Sequence, residues 1–257
     1  MSKPKAIFFD FDGTLLDGGI ITQSAMEALR YARKKGVLIF AATGRNRYFV
    51  DSMPWLPEVA FDGFVTMNGT FCYVGDKILH KKTLHKDAVK MMSDFAQETS
   101  HYCMFCETDK LYASRPDPAI EAALSAHGLP LPPVRDLKLL VNAEICQMVI
   151  SGKGLERFLG SLPHCSPTNW AEDNYDIVPN GVDKWVGILP MLAHFGLSPH
   201  EVAAVGDGNN DIEMLQGAGF AVAMGNGTDR VKACADYIAG DVDAGGVLEG
   251  VKWLLGC

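Results

Sequence analysis

The chain begins with an apolar run that ends in two carboxylates. Ile7, Phe8 and Phe9 have the side chains of a short buried strand, and Asp10 and Asp12 follow with one residue between them. Charges next to a hydrophobic core are costly unless a partner faces them, so the rest of the chain must supply that partner. This requirement restricts the fold to one that opens a polar site at the end of a buried strand.

Two further apolar runs end in polar residues in the same way. Residues 37–42 lead into Thr43, Gly44 and Arg45, and residues 201–205 lead into the sequence Gly-Asp-Gly-Asn-Asn-Asp. Helical patterns follow these runs, so strand and helix alternate in both terminal thirds of the chain. This alternation predicts an α/β fold with a Rossmann-like, doubly wound parallel sheet, whose ligand site lies at the carboxyl ends of the strands.

The middle of the chain lacks this pattern. None of its strand-like runs ends in a cluster of acidic residues and glycine. It has its own predicted helix at 86–98 and strand-like runs at 103–106, 147–150 and 175–178. We therefore predict an inserted α+β cap domain at residues 83–179 and a discontinuous core formed by residues 1–82 and 180–257.

Composition narrows the classes of partner. The 257 residues carry a formal net charge of -8 without clusters of Lys and Arg, which argues against a nucleic-acid partner. The sequence shows neither a secretion signal nor an apolar stretch long enough for a membrane span, so we expect a cytoplasmic protein without a membrane partner. We expect a monomer or a weak oligomer.

The cysteines are predicted to be structural thiols. There are seven of them, an odd number scattered along the chain, which disfavours a disulfide framework. Cys103 and Cys106 have the CxxC spacing of zinc and redox sites, but no second pair accompanies them. The seven histidines show no metal-binding spacing either, and we interpret them as surface or packing residues.

Four polar clusters are expected to meet at one edge of the sheet. They are Asp10 with Asp12, Thr43 with Gly44, Lys184, and Asp207 with Asn210 and Asp211. Four carboxylates placed together would repel one another, and a hard divalent cation such as Mg²⁺ would remove that repulsion and keep the acids ionised. The Lys184 ammonium, the Thr43 hydroxyl and nearby backbone amides would then bind a phosphate dianion.

In this order, the four clusters closely resemble the signature motifs of the haloacid dehalogenase superfamily. The motifs are DFDGT at 10–14, ATGR at 42–45, the isolated Lys184 before a helix, and GDGNND at 206–211. The insert between the second and third motifs is similar to the large α/β cap (type C2) of the Cof-type sugar-phosphate phosphatases. The resemblance covers essentially the whole chain and implies a Mg²⁺-dependent phosphatase of small phosphorylated metabolites, above all sugar phosphates. The cap would act as a lid that selects the substrate.

The resemblance also implies a role for each residue. Asp10 would be the nucleophile that forms an aspartyl-phosphate, and Asp12 would protonate the leaving alkoxide and then deprotonate the hydrolytic water. The implied phosphate-binding residues are Thr43, Gly44, Lys184 and Asn210. The implied Mg²⁺-binding residues are Asp10, Asp12 through its main-chain carbonyl, Asp207 and Asp211. Whether Asn210 or Asp211 contacts the metal directly stays open.

Several alternatives remain at this level. The substrate could instead be another small organic phosphate, such as pyridoxal phosphate or a flavin nucleotide, and a catalytically silent binding or regulatory module is a further possibility. For Arg45 the sequence favours neither of two roles, a structural ion-pair partner or a ligand. Trp185 stands where many members of the superfamily have a small residue, and if it faced inward it would crowd Lys184.

Overall fold

The computed structural model describes residues 3–126, 128–171 and 173–256. Its strands are β1 (Ala6–Phe9), β2 (Leu16–Asp17), β3 (Ile20–Ile21), β4 (Leu38–Ala42), β5 (Gly63–Thr66), β6 (Phe71–Val74), β7 (Lys77–Lys81), β8 (Tyr102–Cys106), β9 (Leu111–Ala113), β10 (Gln147–Ser151), β11 (Cys165–Ala171), β12 (Asn174–Pro179), β13 (Val202–Gly206), β14 (Phe220–Ala223) and β15 (Tyr237–Ile238). Its helices are α1 (Gln23–Lys34), α2 (Arg47–Val50), α3 (Lys86–Glu98), α4 (Pro118–Ala126), α5 (Leu137–Leu140), α6 (Glu156–Leu159), α7 (Lys184–Phe195), α8 (Ile212–Gly217), α9 (Asp229–Lys232) and α10 (Gly246–Leu255).

The larger sheet has eight strands in the order β15-β14-β13-β1-β4-β5-β6-β7. The strands from β15 to β5 are parallel, and β1 lies between β13 and β4. The chain therefore winds outward in both directions from β1, which confirms the predicted doubly wound sheet. The last two strands on one side of the sheet, β6 and β7, are antiparallel to their neighbours, an extension that the sequence analysis did not predict.

Alternation along β1 explains the two helical layers. Ile7 and Phe9 face a cluster that includes buried residues of α1 and α10, whereas Ala6 and Phe8 face a cluster that includes residues of α7 and α8. Phe8 also stacks on Phe40 of the neighbouring strand, with ring centroids 4.7 Å apart. A strand whose two faces are both covered must be apolar throughout, and β1 is fully buried.

A second sheet, of five antiparallel strands, has the order β11-β12-β10-β8-β9. Helix α3 packs on it through a separate cluster in which Met92, Phe105 and Met148 are fully buried. The chain enters this region after β7 and leaves it after β12, which confirms the predicted α+β insert in an α/β core. None of the helices in the described ranges is both long and apolar enough to cross a membrane.

Candidate active site

The site begins where three neighbouring parallel strands end. Asp10 directly follows β1, Thr43 directly follows β4, and Asp207 directly follows β13. Because β13, β1 and β4 are adjacent and run in the same direction, their carboxyl ends bring these three residues to one edge of the sheet.

Lys184 reaches this edge from the first turn of α7. The helix begins there because the Asp183 carboxylate caps it, accepting a hydrogen bond from the Val186 amide at 2.8 Å. The Lys184 ammonium is fully buried and donates to Asp10 Oδ1 and to Asp211 Oδ1, each at 2.6 Å. Burial alone would lower the pKa of Lys184, but the two carboxylates raise it overall, so the side chain remains a cation.

The acidic groups outnumber this single buried cation. Carboxylate oxygens of Asp10, Asp207 and Asp211 all lie within 4.8 Å of one another. Burial, followed by the charge of Asp211, raises the pKa of Asp10 well above its usual range, and the same two causes raise the pKa of Asp207 to about 7. This concentration of carboxylate oxygens and negative charge fits a divalent cation such as Mg²⁺.

Asp211 stabilises the conformation of the loop after β13. Its Oδ2 accepts hydrogen bonds from the amides of Asp207, at 2.9 Å, and Gly208, at 2.8 Å, while its Oδ1 binds Lys184. Gly206 leaves room for this turn, since a Cβ there would lie 2.6 Å from the Asp211 carboxylate carbon. The loop therefore directs the Asp207 side chain into the acidic cluster, while Asp211 is fully buried beneath the loop.

Gly13 allows the loop after β1 to approach Asp207. Its φ of +80° is in the left-handed region, and a Cβ there would lie 2.2 Å from Asp207 Oδ2. Thr14 then donates to Asp207 Oδ1 at 2.8 Å. Asn226, which the sequence analysis missed, donates to the Gly13 carbonyl at 2.9 Å and to Asp207 Oδ2 at 3.3 Å.

Asp12 lies apart from the buried acids and pairs with Arg45. The guanidinium donates from Nε to Asp12 Oδ2 at 2.7 Å and from Nη2 to Oδ1 at 2.5 Å, a bidentate pair. The Asp12 side chain is 54% exposed, whereas that of Arg45 is 16% exposed. Arg45 is therefore an ion-pair partner inside the site, next to the carboxylate that the family resemblance makes the acid and base.

Trp185 does not crowd Lys184. Its indole packs beside α8, where a Cβ at Gly217 would lie 2.2 Å from the ring. The tryptophan thus fills space that the glycine leaves, on the side of α7 that faces the hydrophobic cluster. The lysine ammonium meanwhile binds Asp10 and Asp211 in the acidic site.

Three residues that the sequence analysis missed connect the two sheets at this site. Asn68, in the turn after β5, binds Asn210, and it also binds the side chains of Gln147 from β10 and Asp176 from β12. The Asn68-Gly69 dipeptide is a turn signal that could have been recognised. Gln147 and Asp176 lie inside ordinary strand patterns, and nothing in their local sequence indicates a site.

None of the six described cysteines belongs to the acidic cluster. Cys103 and Cys106 are buried free thiols on β8, and burial raises the pKa of Cys103 to about 12. A thiol with so high a pKa is protonated and unreactive at neutral pH. Cys257 lies outside the described residues.

Comparison with known proteins agrees with this geometry. A family model described as haloacid dehalogenase-like hydrolase matches residues 7–251. The solved structure of the HAD subclass IIB sugar phosphatase BT4131 matches with a TM-score of 0.90 at 32% identity, covering 97% of this chain and 98% of that one. The pyridoxal phosphate phosphatase YbhA of Escherichia coli is 30% identical, over 92% of this chain and 93% of its own length.

A Bacillus subtilis protein is also similar over nearly its whole length. The 5-amino-6-(5-phospho-D-ribitylamino)uracil phosphatase YcsE is 28% identical, over 98% of this chain and 96% of its own length. The family model spans both the acidic site and the inserted sheet. As its four sequence motifs predict, the chain belongs to the haloacid dehalogenase-like hydrolases.

Proposed function

We propose that the protein is a Mg²⁺-dependent phosphatase of small phosphorylated metabolites, in particular sugar phosphates. The observation that carries the proposal is the grouping of Asp10, Asp207 and Asp211 around the buried Lys184 at the end of β1. A sugar phosphatase and two phosphatases of other small phosphates are among the similar proteins, which supports the same class of reaction.

Asp10 is the proposed nucleophile. Lys184 binds its Oδ1, which fixes the carboxylate and leaves Oδ2 to attack phosphorus. The new bond joins Asp10 to phosphorus, and the bond from phosphorus to the leaving oxygen breaks as Asp12, in its protonated form, donates its proton to that oxygen and becomes a carboxylate. Water then attacks the aspartyl-phosphate while Asp12 takes up a proton, and the bond from Asp10 to phosphorus breaks to release phosphate.

The remaining polar groups would hold the phosphoryl oxygens. The Thr43 hydroxyl, the Gly44 amide, the third N–H of Lys184 and the Asn210 amide are the proposed donors. The ion would be held by the carboxylates of Asp10 and Asp207 and by the main-chain carbonyl of Asp12. The Asp211 carboxylate, whose oxygens bind Lys184 and two amides, would contribute negative charge close to the ion. When bound, Mg²⁺ would offset the carboxylate charge and polarise the phosphoryl group.

The cap, proposed to span residues 83–179, would cover this site and contact the leaving group. Gln147 from its sheet donates to the Gly44 carbonyl at 3.0 Å, and Asn46 donates to the Glu107 carbonyl at 2.6 Å. These contacts bring the two sheets together directly over the loop after β4. Closure of this kind excludes water and strengthens the charge interactions around the phosphoryl group.

A phosphate ester with an aromatic leaving group is the second candidate substrate. A cavity of about 310 Å³ lies beside Arg45, and its wall includes Met53, Trp55 and Leu129. Apolar and aromatic side chains next to a guanidinium suit an aromatic ring better than they suit a sugar. Pyridoxal phosphate and a flavin nucleotide are the test compounds of this class.

The experiment for the proposed function is a phosphate-release assay. We expect Mg²⁺ to stimulate hydrolysis of at least one ester by about 100-fold or more, and excess chelator to abolish it, because the carboxylates repel the substrate dianion without the metal. The panel should contain hexose phosphates, pyridoxal phosphate, a flavin nucleotide and p-nitrophenyl phosphate. Equal turnover with metal and with chelator would contradict the proposed mechanism.

The stabilisation by Mg²⁺ should depend on pH. The pKa of Asp207 is raised to about 7 in the folded protein, and an unfolded Asp titrates near 4, so the metal-free fold binds extra protons and loses stability as pH rises between these values. Because Mg²⁺ replaces these protons, we expect a larger gain in Tm at about pH 8 than at about pH 5.5. Thermal melts at saturating and zero Mg²⁺ measure both gains.

The control for this pH effect is Asp207→Asn. It removes one of the two carboxyls whose pKa is raised at the site, and it should reduce both the gain in Tm and its dependence on pH. Equal gains at the two pH values in the wild-type protein would show that proton release at Asp207 is not linked to metal binding.

A further inference from the structure

Asn68 is a buried amide that uses both of its polar atoms. Its Nδ2 donates to Asp176 Oδ2 at 2.7 Å and to Gln147 Oε1 at 3.0 Å, and its Oδ1 accepts from Asn210 Nδ2 at 2.9 Å. Only 3% of the residue is exposed. The donor side of one amide thus contacts the cap sheet, and its acceptor side contacts the loop that carries Asp207 and Asp211.

A further hydrogen bond joins the cap sheet to the loop after β4. Gln147 Nε2 donates to the Gly44 carbonyl at 3.0 Å while its Oε1 accepts from Asn68. A Cβ at Gly44 would lie 3.0 Å from Asp176 Oδ2 and 3.3 Å from Asn68 Nδ2, so the cap sheet is seated directly on this loop. We call the hydrogen bonds of Asn68 with Asn210, Gln147 and Asp176 the Asn68 clamp.

The backbone that carries Asn68 is strained and tightly held. Met67, Asn68 and Gly69 are all in the left-handed region, with φ of 50°, 52° and 95°. A Cβ at Gly69 would lie 2.0 Å from the Asp183 carbonyl oxygen, so the turn presses against the start of α7, one residue before Lys184. Asn occupies this region readily, but Met67 adopts it only because surrounding contacts impose it, and such strain is concentrated at functional sites.

We propose that Asn68 is a positioning residue that couples closure of the cap to alignment of the phosphate-binding loops. The proposal rests on the proposed function. When the cap closes, Gln147 and Asp176 fix the orientation of the Asn68 amide, which in turn fixes Asn210, while Gln147 supports Gly44. When the cap opens, Asn68 loses two acceptors and the Gly44 carbonyl loses a donor, so the phosphate site is complete only in the closed state.

The first test replaces the donor while keeping the shape. Asn68→Asp tolerates the same backbone conformation, but it places a carboxylate opposite the acceptor atoms of Gln147 and Asp176. We expect kcat for a hexose phosphate to fall by about tenfold or more, with KM changed by less than about threefold, because the loops are misaligned in the reacting complex. A kcat within about twofold of the wild-type value would overturn the proposal.

The rescue variant separates positioning from simple destabilisation. Adding Asp176→Asn to Asn68→Asp exchanges the two groups, so an amide at 176 can donate to a carboxylate at 68 and the total charge is unchanged. We expect the exchange to recover about threefold or more of the lost kcat. If the double variant is no more active than Asn68→Asp alone, the clamp does not position the loops.

The matched control is Ser151→Ala, on the same strand as Gln147. The Ser151 hydroxyl donates to Asn174 within the cap sheet at 2.6 Å, and Ser151 takes part in none of the three hydrogen bonds of the clamp. We expect its kcat to stay within about twofold of the wild-type value, and a loss as large as that of Asn68→Asp would overturn the proposal.

A readout without turnover distinguishes failure of the clamp from failure of the proposed function. If the wild-type protein releases phosphate from none of the esters, the proposed function is wrong, and the clamp is judged by amide hydrogen exchange. In that case we expect Asn68→Asp to speed exchange in peptides that contain residues 43–46 and 206–211, because both loops lose support. Unchanged exchange in both peptides would overturn the clamp as well.

Discussion

Asp10→Asn is expected to lower kcat by about 10,000-fold or more while the protein remains folded. The amide keeps the shape of the side chain but cannot form the acyl phosphate, so every ester in the panel should be affected alike. A loss of this size corresponds to about 5 kcal/mol of barrier. The fold should tolerate the change, because Asp10 lies beside Asp207 and Asp211 and its replacement removes one of three mutually repelling carboxylates.

Steady-state kinetics with p-nitrophenyl phosphate and the best natural ester measure this loss, and a thermal melt confirms folding. Asp17→Asn is the control, since Asp17 is an exposed carboxylate on β2, close to Asp10 in sequence. We expect the control to keep its kcat within about twofold. If Asp10→Asn retained more than about a tenth of the wild-type kcat, another residue would have to be the nucleophile.

Lys184→Met should have the largest effect on stability. It leaves Asp10 and Asp211 buried without the cation that binds both of them at 2.6 Å. Removing one partner of a buried ion pair costs about 3 to 5 kcal/mol, because the remaining charge is neither solvated nor paired. For a chain of this size the cost corresponds to a fall in Tm of about 10 °C. Activity should fall as well, since the lysine is a proposed donor to the phosphoryl group.

Differential scanning calorimetry without metal measures this fall, and the melt should be repeated with Mg²⁺. The ion supplies part of the lost positive charge, so we expect it to stabilise Lys184→Met more than it stabilises the wild-type protein. Lys252→Met on α10 is the control, because this lysine is exposed on a helix far from the acidic cluster in sequence. A fall in Tm of less than about 2 °C for Lys184→Met would mean that the two carboxylates do not need the lysine.

The strand ends could be predicted because their signal is local. An apolar run that stops at Asp10, at Thr43 or at Asp207 marks both a buried strand and the place where it leaves the core. In parallel strands that are neighbours, those ends must meet, so the acidic site follows from the pattern once the sheet is assumed. The signal for the start of α7 is local as well, because Asp183 is the N-cap residue of this helix. Lys184 is the first residue of the helix, so its position follows from the same signal.

The antiparallel edge was harder to predict. In β7, exposed and half-buried residues replace the buried run that marks a central strand. Without an apolar run or strict alternation, such a segment looks like a loop. Its position at the edge of the sheet explains the pattern, because an edge strand has less surface to bury.

By itself, the sequence determined the elements with strong periodicity, the acidic groups at their ends and the family to which the motifs belong. Only the tertiary structure decided which groups pair with which. Arg45 binds Asp12 across 33 residues, and Asn68 binds Asp176 across 108 residues. Such pairs depend on how two sheets and their connections pack in space, whereas sequence patterns report only which face or end of its own element a residue occupies.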